Sequence, residues 1–160
     1  MRQTGYMLRR ATVDDIPALV DLQALLFTEM ENEHAGRTSW RKPAADWLTE
    51  RFRNGDACAY VVEVDGSVAA SALGYLHTAP PSPSSLTHLR GHISNVVTLA
   101  DHRRQGYARR CVEALLEWFR DETPVEVVDL SASNDGFALY QSMGWRTRED
   151  PTMRRVVVRD

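Results

Sequence analysis

The amino-acid sequence predicts a mixed α/β fold: one domain over residues 1–160, built on a central mixed β-sheet with helices on both faces. Three observations predict it. Runs rich in β-formers alternate with runs of helical periodicity along the chain, in the order β-α-α-β-β-β-α-β-α-β. An Asp65–Gly66 pair between two β-rich runs marks a hairpin. From Ala108 onward, Cys111, Val112, Leu115, Leu116 and Phe119 recur at helical spacing and define a strongly amphipathic helix.

The elements follow in order. "YMLRRATVDD" reads as a short strand entering a helix, with Thr12 as N-cap and Asp14 and Asp15 in the first turn. Ile16, Leu19, Leu22, Leu26 and Met30 then mark about four helical turns. A polar break, "ENEHAGRTS", precedes a second helix around Pro43–Arg53. Its apolar face uses Trp47, Leu48 and Phe52, and Asn54–Gly55 stops it. "ACAYVVEVDGSVAASALGYL" is the hairpin, and "APPSPSS" (79–85) an exposed connection. "GHISNVVTLA" is a strand, and the amphipathic helix after it closes at Pro124. "VEVVDLSAS" is a further strand, "DGFALYQSMGW" a short helix ended by Gly144, and "MRRVVVRD" a last strand.

Composition excludes several classes. The chain is 43% hydrophobic and 26% charged, as in ordinary globular proteins, with a net charge of −3. That balance argues against nucleic acid and anionic membranes as partners. No apolar run reaches spanning length and the first residues lack a signal-peptide core, so a cytoplasmic protein is expected. Cys58 and Cys111 have no metal or redox spacing and read as free buried thiols. His88 and His92 stand four apart, but in a strand context without further ligands, so no metal site is expected.

One stretch needs a ligand to make sense. "RRQGYA" (103–108) places two arginines, a glutamine and a glycine at a helix start, where the backbone dipole is already positive. Cations belong there if a polyanion sits among them. The first helical N–H groups lack intrahelical partners, Gly106 lets an anion approach the backbone, and Ala108 keeps the next turn small. Arg103 and Arg104 can add charge-assisted bonds to phosphate oxygens. The spacing is neither a dinucleotide fingerprint nor a P-loop.

The spacing does match Q/R-x-x-G-x-G/A at Arg103, Gly106 and Ala108. With the strand "NVVTLADH" before it, a helix after it and "ALYQSMGW" some thirty residues on, the chain resembles the GCN5-related N-acetyltransferase (GNAT) superfamily over nearly its whole length. The resemblance implies an acetyl-CoA N-acyltransferase fold and transfer of an acetyl group from acetyl-CoA to a primary amine, by direct attack in a ternary complex. It implies that main chain of Val96, Val97 and Thr98 binds the pantetheine arm and stabilises the oxyanion. Main-chain groups from Arg104 through Gln105, Gly106, Tyr107 and Ala108 to Arg109 would cradle the pyrophosphate, with Arg103, Arg104, Arg109 and Arg110 as candidate side-chain contacts.

Tyr140 corresponds to the tyrosine that protonates the departing thiolate, a task that suits a phenol. For the base that deprotonates the amine, the resemblance makes His92 the first candidate: it falls where relatives with an assigned base often carry glutamate or histidine. It lies on one face of its strand with Ser94, Val96 and Thr98, and its basicity suits the task. Asp129 on the neighbouring strand is the second, and a water relay the third. Ser133 stands where many relatives carry a pantetheine-binding asparagine, so that contact is not carried over. The acceptor, a small-molecule or protein amine, is expected against the first two helices and "FTEMENEHAGRTSW", where Glu29, Glu31 and Glu33 favour a cation unless they are merely an exposed acidic turn. A homodimer stays open. The alternative is a non-catalytic acyl-CoA-binding module.

Overall fold

The computed structural model describes residues 5–157. Asp65 and Gly66 both adopt left-handed φ (+50° and +81°), the pair of angles a two-residue hairpin turn needs to match strand twist. They join β2 (Ala57–Val64) to β3 (Ser67–Thr78). β1 (Tyr6–Arg10) lies antiparallel to β2, and β3 lies antiparallel to β4 (Leu89–Thr98). β5 (Val128–Leu130) is parallel to β4, giving a five-stranded mixed sheet in the order β1-β2-β3-β4-β5.

The hydrophobic patterns distribute four helices over the two faces. α1 (Ile16–Glu29) and α2 (Arg41–Asn54) cover one face through Ile16, Leu19, Val20 and Leu48, packed on Ala57, Ala59, Val61 and Leu73. α3 (Tyr107–Glu122) covers the other through Cys111, Val112, Leu115 and Phe119, packed on Val62, Ala70, Ala72 and Ile93. α4 (Asn134–Ser142) joins this second cluster through Leu139 and Tyr140. Gly55 ends α2 in the left-handed conformation (φ +74°), as the Asn–Gly pair predicts. Before α1, the Asp15 carboxylate accepts from the Thr12 N–H (2.8 Å) and takes both terminal nitrogens of Arg9 (2.8 Å each). Those bonds hold the Asp15 carboxyl below its ordinary range.

Three sequence expectations change. Residues 153–157 form no strand, although "MRRVVVRD" is rich in β-formers, and its last three residues lie outside the described part. The strand read over "VEVVDLSAS" shrinks to three residues. "APPSPSS" is organised around a buried cation and is not a plain exposed connection. Arg90, 8% exposed, donates to the Ser85 hydroxyl (2.8 Å) and the Pro80 carbonyl (3.0 Å), and Ser85 is buried beneath the turn. Cys58 and Cys111 are free and buried in the α3-side core. Burial pushes their thiols up to about 11 and about 12.

Candidate active site

The site follows from an irregular strand. β5 accompanies β4 over three residues only, pairing Gly91 with Val128, His92 with Asp129 and Ile93 with Leu130. Beyond Ile93, β4 runs on to Thr98 with β3 alone beside it, Val97 facing Ser71 and Thr98 facing Ala70. The edge of Val96, Val97 and Thr98 on the β5 side therefore has no strand partner.

A bulge lies at the point where the strands part. Ser94 pairs with Leu73 and Val97 with Ser71, so β4 spends one extra residue there, and Asn95 takes φ +52°. Asparagine is among the few residues that tolerate that conformation. The bulge corrects the sequence reading of His92, Ser94, Val96 and Thr98 as one continuous face. His92 stacks beside Tyr75, and Ser94 joins a cleft that Trp47 and Leu48 of α2 also line. Val96 packs instead against the α3-side core.

After β4, a short 3-10 turn (Ala100–His102) leads into Arg103–Gly106 and then α3. Arg104 (φ +61°) and Gly106 (φ +79°) are both left-handed, and open space lies in front of Gly106. The first bond of α3 runs from the Arg110 N–H to the Gly106 carbonyl (3.2 Å), so the N–H groups of Tyr107, Ala108 and Arg109 precede the helical ladder. They lie at the positive end of a 16-residue helix. The arginines differ in what they already hold. Arg103 donates to the Thr98 carbonyl (3.1 Å) and pairs with Glu29, while Arg109 donates to Ser142. Arg110 lies over the Tyr6 ring (5.1 Å). Arg104 and Gln105 are exposed. Tyr107 is buried, its ring against Tyr6 (5.1 Å), so only its backbone faces the loop.

The proton-transfer candidates meet in one cleft of about 680 Å³, which His92, Asp129, Tyr140 and Trp145 line. Tyr140 is 8% exposed, and burial raises its phenol. The small Gly136 leaves room for its ring: a Cβ there would come within 3.0 Å of it. Ser133 caps α4, its hydroxyl accepting from the Gly136 N–H (3.2 Å), and so has a structural task of its own. Burial lowers the basicity of His92, with His77 acting in the same sense and Asp129 opposing both.

His77, missed in the sequence, lies 6.4 Å from His92 ring to ring and lines both this cleft and a second one of about 440 Å³ under α2. The signal was present: Leu73, Tyr75 and His77 alternate along β3, and His77 is the polar member of that row. Glu29, Glu31 and Glu33 line neither cleft. Among the described residues no group of three or more His, Cys, Asp or Glu could hold a metal, and no helix is long and apolar enough to cross a membrane.

A parallel strand that ends after three residues, a bulge in β4 just beyond and an exposed helix start fit the acetyltransferase fold that the sequence resemblance implies. Residues 16–145 match the acetyltransferase (GNAT) family, and the chain belongs to that family. The fold is similar to that of a GCN5-related N-acetyltransferase from Ralstonia eutropha JMP134 (TM-score 0.80, 25% identity, 94% of this chain and 99% of that one). It is also similar to a predicted acetyltransferase from Clostridium acetobutylicum solved with acetyl-CoA (TM-score 0.86, 19% identity, 94% and 96%). In sequence, N-acetyltransferase 8 of Homo sapiens is 31% identical over 106 residues, which cover 62% of this chain and 41% of the human protein.

Proposed function

We propose that this chain transfers the acetyl group of acetyl-CoA to a primary amine by direct attack within a ternary complex. One observation carries the reading: β4 links an unpaired edge at Val96–Thr98, a helix start suited to pyrophosphate, and His92 in the cleft that Tyr140 lines. Pyrophosphate oxygens accept from the free N–H groups at the start of α3, with Arg104 and Gln105 beside them. The pantetheine amides bond to the open β4 edge and complete the ladder that β5 leaves unfinished.

The chemistry then runs along β4. His92 takes a proton from the ammonium form of the acceptor, and nearby Asp129 favours the imidazolium that results. The amine nitrogen bonds to the thioester carbonyl carbon, and the oxyanion forms beside main-chain N–H of the strand edge. The oxyanion collapses to the amide carbonyl as the C–S bond breaks, and Tyr140 gives its proton to the thiolate. The phenolate is reprotonated by the proton the new amide nitrogen sheds, while His92 returns the first ammonium proton to solvent. The products are an acetamide and CoA.

The test begins with CoA and heat. CoA at 100 times its dissociation constant should stabilise the fold by about 2.7 kcal/mol and raise the Tm accordingly. Gly106→Glu, which puts a carboxylate into the open space before the loop, should remove that shift. A folded Gly106→Glu protein with the full shift overturns the pyrophosphate placement. Thiol release from acetyl-CoA with a panel of amines then tests turnover. Intact CoA binding with no amine-dependent release would leave an acyl-CoA-binding module.

A further inference from the structure

The acceptor's chemical class can be argued from the second cleft, under α2. Trp47 and Arg51 are one helical turn apart on α2 and both line it. Trp47 meets Tyr75 edge-on (5.4 Å, 89° between rings), and Tyr75 meets His92 (5.2 Å). The rings form an unbroken wall from the helix to the candidate base. Gln23, His77, Ser94 and Asn95 supply the remaining polar groups of the lining, which contains no Asp or Glu.

Arg51 is the cleft's only full cation. Its guanidinium carbon lies 5.2 Å from the centre of the Trp47 ring, and its side chain is 36% exposed. Asp56 forms an ion pair with it at 3.7 Å, a contact without a hydrogen bond, from outside the cleft lining. A polycationic acceptor would bring further ammonium groups against a guanidinium and the His77 imidazole with no carboxylate in this cleft's lining, a costly burial. An anionic group would meet a stacked guanidinium with donors to spare.

Resting on the acetyl-transfer reading above, we infer that the acceptor is an anionic aromatic amine. Its ring lies along the Trp47–Tyr75 wall, Arg51 takes its carboxylate or phosphate-type group, and its amine reaches His92. Arg51 is then a specificity residue, and the acidic turn before α2 takes no part in recognising the acceptor.

Calorimetric titration of the full chain, with and without CoA, tests this using product-like ligands. These are N-acetylphenylalanine, its phosphonate analogue, its neutral amide and N-acetylspermidine. The better anionic ligand should bind at least about tenfold tighter than the amide, and N-acetylspermidine should bind weakest. The ranking of carboxylate against phosphonate identifies the anion. Arg51→Gln should bring the anion-to-amide ratio near one, and Arg51→Lys should keep part of it. Arg53→Gln, the same charge change at an exposed site outside this cleft, should keep all of it. Equal binding of anion and amide, tighter binding of N-acetylspermidine, a preference that survives Arg51→Gln, or no binding by any of the four overturns the inference. A protein that selects the anion through Arg51 yet does not bind CoA would sink the acetyl-transfer reading and leave the anion site standing.

Discussion

The two faces of the sheet are packed to different ends. Under α3 the layer is closed: Cys111, Val112 and Leu115 have no exposed surface, and Phe119 and Trp118 have almost none. Gly74 and Gly91 are small there because Leu115 and Phe119 press directly on the strands, and a Cβ on Gly91 would come within 2.7 Å of the Phe119 ring. Under α1 and α2 the apolar cluster is smaller, and beside it a polar cleft remains open between α2 and β3–β4. The difference separates stability from recognition. The α3 face packs tightly against β3 and β4, and the α2 face leaves a cleft open beside β3 and β4.

The largest expected effect breaks that contrast on its closed side. Leu115→Ala removes a fully buried side chain from close-packed surroundings and should cost about 2–5 kcal/mol by chemical denaturation. Tyr75→Phe on the open face keeps the ring and removes only a hydroxyl, and should cost under about 1 kcal/mol. Similar losses from the two variants would mean that the open face carries as much of the fold as the closed one.

Tyr140 belongs structurally to the closed face but looks into the larger cleft, so it sharpens the comparison. Tyr140→Phe should leave stability nearly intact and lower kcat by roughly ten- to a thousandfold, the range of general-acid contributions. The KM for acetyl-CoA should move far less, because the pyrophosphate and pantetheine contacts lie elsewhere. An unchanged kcat with chemistry rate-limiting would make Tyr140 a packing residue. A matched fall in Tm and activity would say the same.

The closed face was the more legible of the two in the sequence. The apolar spacing of α3, the Asp65–Gly66 turn and the glycine stop at 144 are local signals, each sufficient for its element. The open face depends on pairings between distant segments, which leave little local trace. Nothing in "HISNVV" announces that Asn95 bulges, because the bulge exists only against β3. Nothing in "APPSPSS" announces that the loop folds over Arg90, because that contact joins the loop to β4. Residues 153–157 form no strand although Val156 and Val157 are β-formers, and β5, the outer strand on that side, is only three residues long. His77 and Arg51 escaped because each is unremarkable alone and gains meaning from the cleft it shares.

The smallest effect is carried by protons at the junction of the two clefts. His92 is half-buried, and Tyr75 and His77 from β3 and Asp129 from β5 face it. Burial, seconded by His77, lowers its pKa from 6.5, so the folded state prefers the neutral ring more strongly than the unfolded chain does. The sign follows from linkage. This group's contribution to stability is present above pH 6.5 and is lost as pH falls through the lower folded value. The neutral ring is also the form that accepts a proton, so kcat should be flat above pH 6.5 and drop about tenfold per unit once His92 protonates. His92→Gln should flatten both acid limbs together, in the melting curve and in kcat, at a reduced overall rate. If the kcat limb persists in His92→Gln while the stability limb disappears, the base is another group, with Asp129 or a water relay next in line. If both limbs persist unchanged, His92 titrates no differently in the folded protein than in the unfolded chain, and its place at the junction is one of packing.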